Sequence, residues 1–188
     1  TIVGAWTQIP HVLAAAQQWE PISTMRAFLG GEAGIPIMIA VGIVVLAGLV
    51  LPVVLARHSL DEAPAIGDIR ALLPRTRGEI PYGAGLSVNA GVFEELLFRL
   101  GLPALVFAVT DDAFAAFLGA ALLFGLLHLY QGPLGIVFST VLGAIFVLLY
   151  VVTGSIVVPI VLHTLIDLRS MVLIPVALGR VLAKPPAG

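Results

Sequence analysis

"GVFEELLFRL", residues 91–100, sets Glu94, Glu95 and Arg99 inside a mostly apolar run that is otherwise free of charge from Tyr82 to about Val109. A charge at mid-bilayer costs roughly 2.5–3.5 kcal/mol on insertion scales, so these three matter greatly if the run crosses a membrane. The composition says that it does. Of the 188 residues, 60% are hydrophobic and only 11% charged, and the mean hydropathy is +1.11. A soluble domain carries about 25% charged residues. The expected fold is all-α, a polytopic transmembrane helix bundle with at least five spans. Its charged residues should face the interior, pair with one another, or mark a site.

The spans follow from charge-free runs and their punctuation. "GIPIMIAVGIVVLAGLVLPVVLA" (34–56) has no charge and suffices to cross ~30 Å of hydrocarbon at 1.5 Å per residue. Residues 57–81 are charged and broken by proline, as a wet loop would be, with a short interfacial helix expected around Asp68–Leu73. Further spans are expected over Tyr82–Val109, Ala113–Tyr130, Leu134–Val152 and Ile156–Leu178, separated by "TDDA", "QGPLG" and "TGS". Asp111 and Asp112 read as a solvated turn. The chain divides into an N-terminal helical segment (1–33), interfacial or spanning, a first clear transmembrane helix plus cytoplasmic loop (34–81), a helical core (82–178) and a basic tail (179–188). Arg57, Arg70, Arg75 and Arg77 share a side with Arg180 and Lys184. The excess of basic residues places that side, and the C-terminus, in the cytoplasm.

Several classes fall away. A net charge of −2 argues against a nucleic-acid partner. Without cysteine there is no disulfide, thiolate metal site or thiol nucleophile. No basic stretch followed by an apolar core opens the chain, so no signal peptide is expected there.

Helical spacing groups the polar residues of the core. Glu95 and Arg99 are i, i+4 and share a face, as do Phe124 and His128, and His163 and Asp167. Glu94 is rotated ~100° from Glu95, so the two carboxylates need not serve one purpose. Asn89 is expected to face the interior before Glu94. By the span limits His128 lies near the cytoplasmic end, Glu94 near mid-depth and His163 nearer the outside. His11 and His58 fall in unpatterned segments and read as surface residues.

"EELLFR" (94–99), "FGLLH" (124–128) and "HTLID" (163–167) occur in order on successive helices. The set resembles the CPBP family of intramembrane proteases, also called the ABI or CAAX-protease family, with its pattern EExxxR, FxxxH and HxxxN or HxxxD. The likeness covers roughly residues 82–176. One departure is Asp167, where the eukaryotic branch has Asn, and a carboxylate donates nothing unless protonated.

The resemblance implies an intramembrane endopeptidase acting on a membrane-associated or prenylated-type substrate. Glu94 would activate the water and His128 would help bind it. His163 and Asp167 would complete the pocket and steady the oxyanion, with Glu95, Arg99 and Phe124 in support. No cofactor is required on this reading. Glu94, His128 and His163 nevertheless match a His₂Glu zinc set in kind, so a divalent metal such as zinc stays open. A zinc-bound histidine is usually oriented by a carboxylate or carbonyl. Asp167 could do this for His163, whereas the nearest polar side chain along the helix of His128 is Gln131, at i+3, and that favours the metal-free form.

The competing readings are a catalytically silent family member, acting as a partner-binding or immunity-type membrane protein, and a proton or ion carrier. Glu94, Glu95 and Arg99 could also be a purely structural ion-pair cluster. Intact motifs favour the enzyme, and no internal repeat supports a transporter.

Overall fold

In the computed structural model, residues 4, 6–58 and 73–178 are described. Among them there is helix and no strand. Two short helices, α1 (Ile9–Gln17) and α2 (Glu20–Leu29), lead into the long α3 (Gly34–His58). After a 3₁₀ turn, Arg77–Glu79, the chain runs through α4 (Ile80–Glu95), a π turn (Leu96–Gly101) and α5 (Leu102–Thr110) without leaving the helical conformation. Then come α6 (Ala113–Leu127), a 3₁₀ turn (Leu129–Gln131) and α7 (Gly132–Thr153). α8 (Val157–Leu168), a second π turn (Arg169–Leu173) and α9 (Ile174–Ala177) close the described chain.

Punctuation sets these limits. Pro81 and Pro133 fall in the first turns of α4 and α7, where the missing N–H costs nothing. Asp111 ends α5 in the left-handed conformation at φ 53°. Asp112 then caps α6, its Oδ1 accepting from Phe114 N at 2.8 Å and Ala115 N at 3.1 Å. The "TDD" turn is therefore a stop followed by a cap. Gly154, at φ 71°, ends α7, a conformation glycine adopts without the steric penalty of a Cβ.

Among the described residues, three helical stretches are long and apolar enough to cross a membrane: Gly34–Ala56, Leu129–Thr153 and Val157–Ala177. Ala113–Leu127 is a shorter apolar helix. Ile35, Ile39, Ile43, Val44 and many like them are exposed. Apolar surface on that scale marks a face made for lipid. The protein is an integral membrane protein. α1 and α2, at 9 and 10 residues, are each shorter than the ~20 residues a span needs.

α6 packs along α7, and α4 along α8. At one end α1 and α2 close the bundle around Val12, Ala16, Ile22, Phe107, Phe117, Tyr150 and Val151. Gln17 Nε2 donates to Val151 O at 2.9 Å, and Arg26 Nη1 donates to Val151 O and Val152 O. These are last-turn carbonyls of α7, which have no partner within their own helix. The N-terminal helices thus cap α7.

The expected helix around Asp68–Leu73 lies, apart from Leu73, outside the described residues, as do Arg70, Arg180 and Lys184. His11 is exposed, as expected of a surface residue. Asn89 is also exposed, which corrects the expectation that it faces the interior. α4 buries Gly83, Ser87, Gly91 and Glu95, a stripe that Asn89 does not share.

Candidate active site

Gly91 decides how closely α4 and α8 cross. A Cβ built there would lie 2.8 Å from Thr164 N and 3.0 Å from Thr164 Cα, so only glycine lets the backbones meet. One helical turn beyond Gly91 stands Glu95, and one residue before Thr164 stands His163. The crossing brings them together: His163 Nδ1 lies 2.7 Å from Glu95 Oε1. Glu95 Oε2 lies 3.0 Å from Arg99 Nε. The N–H is not aimed at that oxygen, and neither atom completes a hydrogen bond, so the contact is ionic. Arg99 Nη2 donates to Gly143 O at 3.2 Å.

This interior is dry. Glu95 is 0% and Arg99 1% exposed. The guanidinium lies 4.8 Å from the centre of the Phe124 ring and 5.2 Å from that of Phe146. Both rings then serve His163: Phe146 stacks on it at 5.1 Å and Phe124 meets it edge-on at 6.0 Å. A desolvated cation over an aromatic face is held electrostatically. Phe146 and Gly143 belong to no motif in the sequence. The only signal for them was the general one that a membrane arginine must find partners.

The other nitrogen of His163 faces a second group. Its Nε2 lies 3.9 Å from Glu94 Oε2 and 3.7 Å from Asp167 Oδ2. Neither is a hydrogen bond, and each is a gap that one water can bridge. The Glu94 side chain is 35% exposed, so it is reachable from outside the dry interior. Glu94 and Glu95 therefore address opposite ring nitrogens of one histidine, although they sit ~100° apart on their helix.

His128 stands apart from this cluster. Among the described residues it makes no hydrogen bond or ion pair with Glu94 or His163. Its Nδ1 is 2.7 Å from Phe124 O. A carbonyl only accepts, so Nδ1 carries the proton and Nε2 is left for another partner. Its ring lies 4.7 Å from Phe124 and stacks with Tyr130 at 5.8 Å. Phe124 is thus the bridge between the two histidines.

Three expectations change here. Glu94 and His163 lie side by side rather than at different depths, because α4 and α8 cross at Gly91. Glu95, not Asp167, holds Nδ1 of His163, and Phe124 O does the same for Nδ1 of His128, so both histidines are oriented as metal-binding histidines are. His128 therefore does not lack an orienting partner: a backbone carbonyl supplies it. A full metal site needs more than oriented rings, however. Among the described residues no three His, Asp or Glu side chains gather closely enough to hold an ion, so as placed the set does not fit a metal.

Residues 76–169, half of the 188-residue chain, match the family of Rce1-like type II CAAX prenyl endopeptidases. The chain belongs to this family. No curated protein and no solved structure matches it. The Rce1-like stretch contains "EELLFR", "FGLLH" and "HTLID" and ends at Arg169. It makes the protein a membrane protease by family. α1, α2 and α3 lie outside the stretch, so the N-terminal cap on α7 is additional to the Rce1-like core.

Proposed function

We propose that the protein is an intramembrane endopeptidase that hydrolyses a peptide bond of a membrane-associated or prenylated chain. The observation that carries this is His163 held between two carboxylates. Glu95 fixes the ring through Nδ1 at 2.7 Å, and Glu94 faces Nε2 across a 3.9 Å gap. Glu94 takes a proton from the attacking water as general base. With a proton on Nε2 as well, His163 donates to the oxyanion that forms as the carbonyl is attacked. Asp167 lines the same nitrogen. His128, its Nδ1–H donated to Phe124 O, offers Nε2 as an acceptor to the water, and the proton taken up by Glu94 passes to the leaving amine as the C–N bond breaks. Glu95 and Arg99 act in support. Water activation runs through these side chains without a metal.

The test is a cleavage assay with purified protein in liposomes. One substrate is a prenylated peptide and the other an unprenylated transmembrane peptide, with fragments read by mass spectrometry in ¹⁸O-water. Cleavage of at least one, with ¹⁸O in the new carboxyl group, is expected and should survive exhaustive chelation. Intact substrates throughout would instead favour a partner-binding protein. Stoichiometric zinc, with activity lost on stripping and restored on zinc addition, would overturn the metal-free mechanism.

The topology belongs to the same proposal. Five or more crossings and a cytoplasmic C-terminus follow if Ile80–Thr110 and Ala113–Leu127 also span. The basic residues at 57–77 and in the tail support that orientation. A reporter fused after Gly188 should be active only on the cytoplasmic side, and activity on the outer side would reverse the orientation.

A further inference from the structure

A hydrogen bond from Arg169 to span α3 ends on a carbonyl whose usual donor is absent. An α-helix pairs each carbonyl with the N–H four residues on, and α3 carries Pro52 in its interior. Proline has no N–H, so the carbonyl deprived of its helical partner is that of Gly48. Arg169 Nη1 donates to that same oxygen at 3.0 Å. Proline inside a membrane helix is tolerated where a neighbouring helix satisfies the freed group, and here the neighbour is the helix that carries the candidate site.

Three observations make this bond matter for position. Arg169 opens the second π turn, two residues after Asp167. Its Nη2 donates to Ser170 Oγ at 3.2 Å, and Ser170 Oγ donates to Ile166 O at 2.9 Å, so the guanidinium is aimed by its own helix. The seam is otherwise loosely closed: an apolar cavity of about 360 Å³ lies along it, lined by Val50, Val53, Leu165 and Val172 among others. Beside that cavity α3 also touches the second π turn and α9.

We propose that Arg169 is a positioning residue. Its guanidinium stands in for the backbone donor missing at Pro52 and so holds span α3 against the helix bearing His163 and Asp167. The device joins a span outside the Rce1-like stretch to the last residue within it.

Pro52→Ala restores the internal N–H and makes the proposal testable by a double-mutant cycle. Wild type, Arg169→Met, Pro52→Ala and the double variant are compared by thermal unfolding in detergent. Arg169→Met should lower the midpoint by about 2–4 °C for a chain of this size. Arg169→Lys, which keeps a donor, should lower it less. In the Pro52→Ala background the methionine substitution should cost less than half as much. An equal shift in both backgrounds overturns the proposal.

The activity arm depends on the peptidase reading. Cleavage should fall in Arg169→Met and recover in the double variant. Recovery of stability without recovery of cleavage would assign Arg169 to the charge on Asp167 and overturn the positioning role. If wild type cleaves nothing, the peptidase reading fails, and the unfolding cycle still decides the role of Arg169.

Discussion

Glu94→Gln should lower turnover by roughly 10²–10⁴-fold, the range general acid–base catalysis contributes, while leaving the protein folded. Glutamine keeps the size of the side chain and removes its basicity. The fold should not notice, because Glu94 is 35% exposed and its nearest charged contact is the 3.9 Å approach to His163 Nε2. Glu95→Gln is the control. It alters the 2.7 Å contact with His163 Nδ1 and the 3.0 Å contact with Arg99, so stability and activity should fall together. The measurement is the single-turnover rate beside the thermal midpoint for each variant. A Glu94→Gln protein that cleaves at the wild-type rate would remove Glu94 from the chemistry.

Arg99→Ala should deplete folded protein. The substitution takes the guanidinium from the Glu95 carboxylate in a dry interior and leaves it His163 alone, and removing one partner of a buried pair costs about 3–5 kcal/mol. A domain has only about 5–15 kcal/mol to lose. The loss is not of charge alone, since the guanidinium also donates to Gly143 O and lies over Phe124 and Phe146. Arg99→Lys should therefore recover only part of it, because an ammonium lacks the planar fork. The readouts are yield of monodisperse protein in detergent and its midpoint temperature. Normal yield and an unchanged midpoint, with activity gone, would move Arg99 from support into the reaction.

The architecture was legible because hydrocarbon permits so little. Charge-free runs such as 34–56 had to be helices, and the insertion cost of Glu94, Glu95 and Arg99 marked a candidate site by residue type alone. Spacing along one helix was legible too: the Glu95–Arg99 pair is found as expected. What was hidden is what happens between helices. Sequence places Glu94 and Glu95 on different faces, but it cannot say that one imidazole spans both, because that depends on the depth of the crossing at Gly91 and Thr164. It suggested Asp167 as the partner of His163 from an i, i+4 spacing, and a carboxylate on another helix took the nearer nitrogen. Backbone acceptors were invisible for a different reason. Phe124 O on His128 belongs to a group that every residue carries, so no letter in the sequence marks it, and Gly48 O on Arg169 is marked only indirectly, by Pro52 four residues on.

The two π turns, Leu96–Gly101 and Arg169–Leu173, act as phase shifters. Each fits an extra residue into a helix without interrupting it, and one residue is ~100° of rotation. The stretch before each turn and the stretch after it therefore keep separate angular registers. Upstream of the first, the register points Glu94 and Glu95 at His163. Downstream, it turns Phe107 toward the cluster of Val12, Phe117 and Tyr150. A single helical wheel drawn through Ile80–Thr110 superimposes two wheels out of step. The outer half of such a helix can be re-faced by altering the turn while the carboxylates at its centre keep their aim.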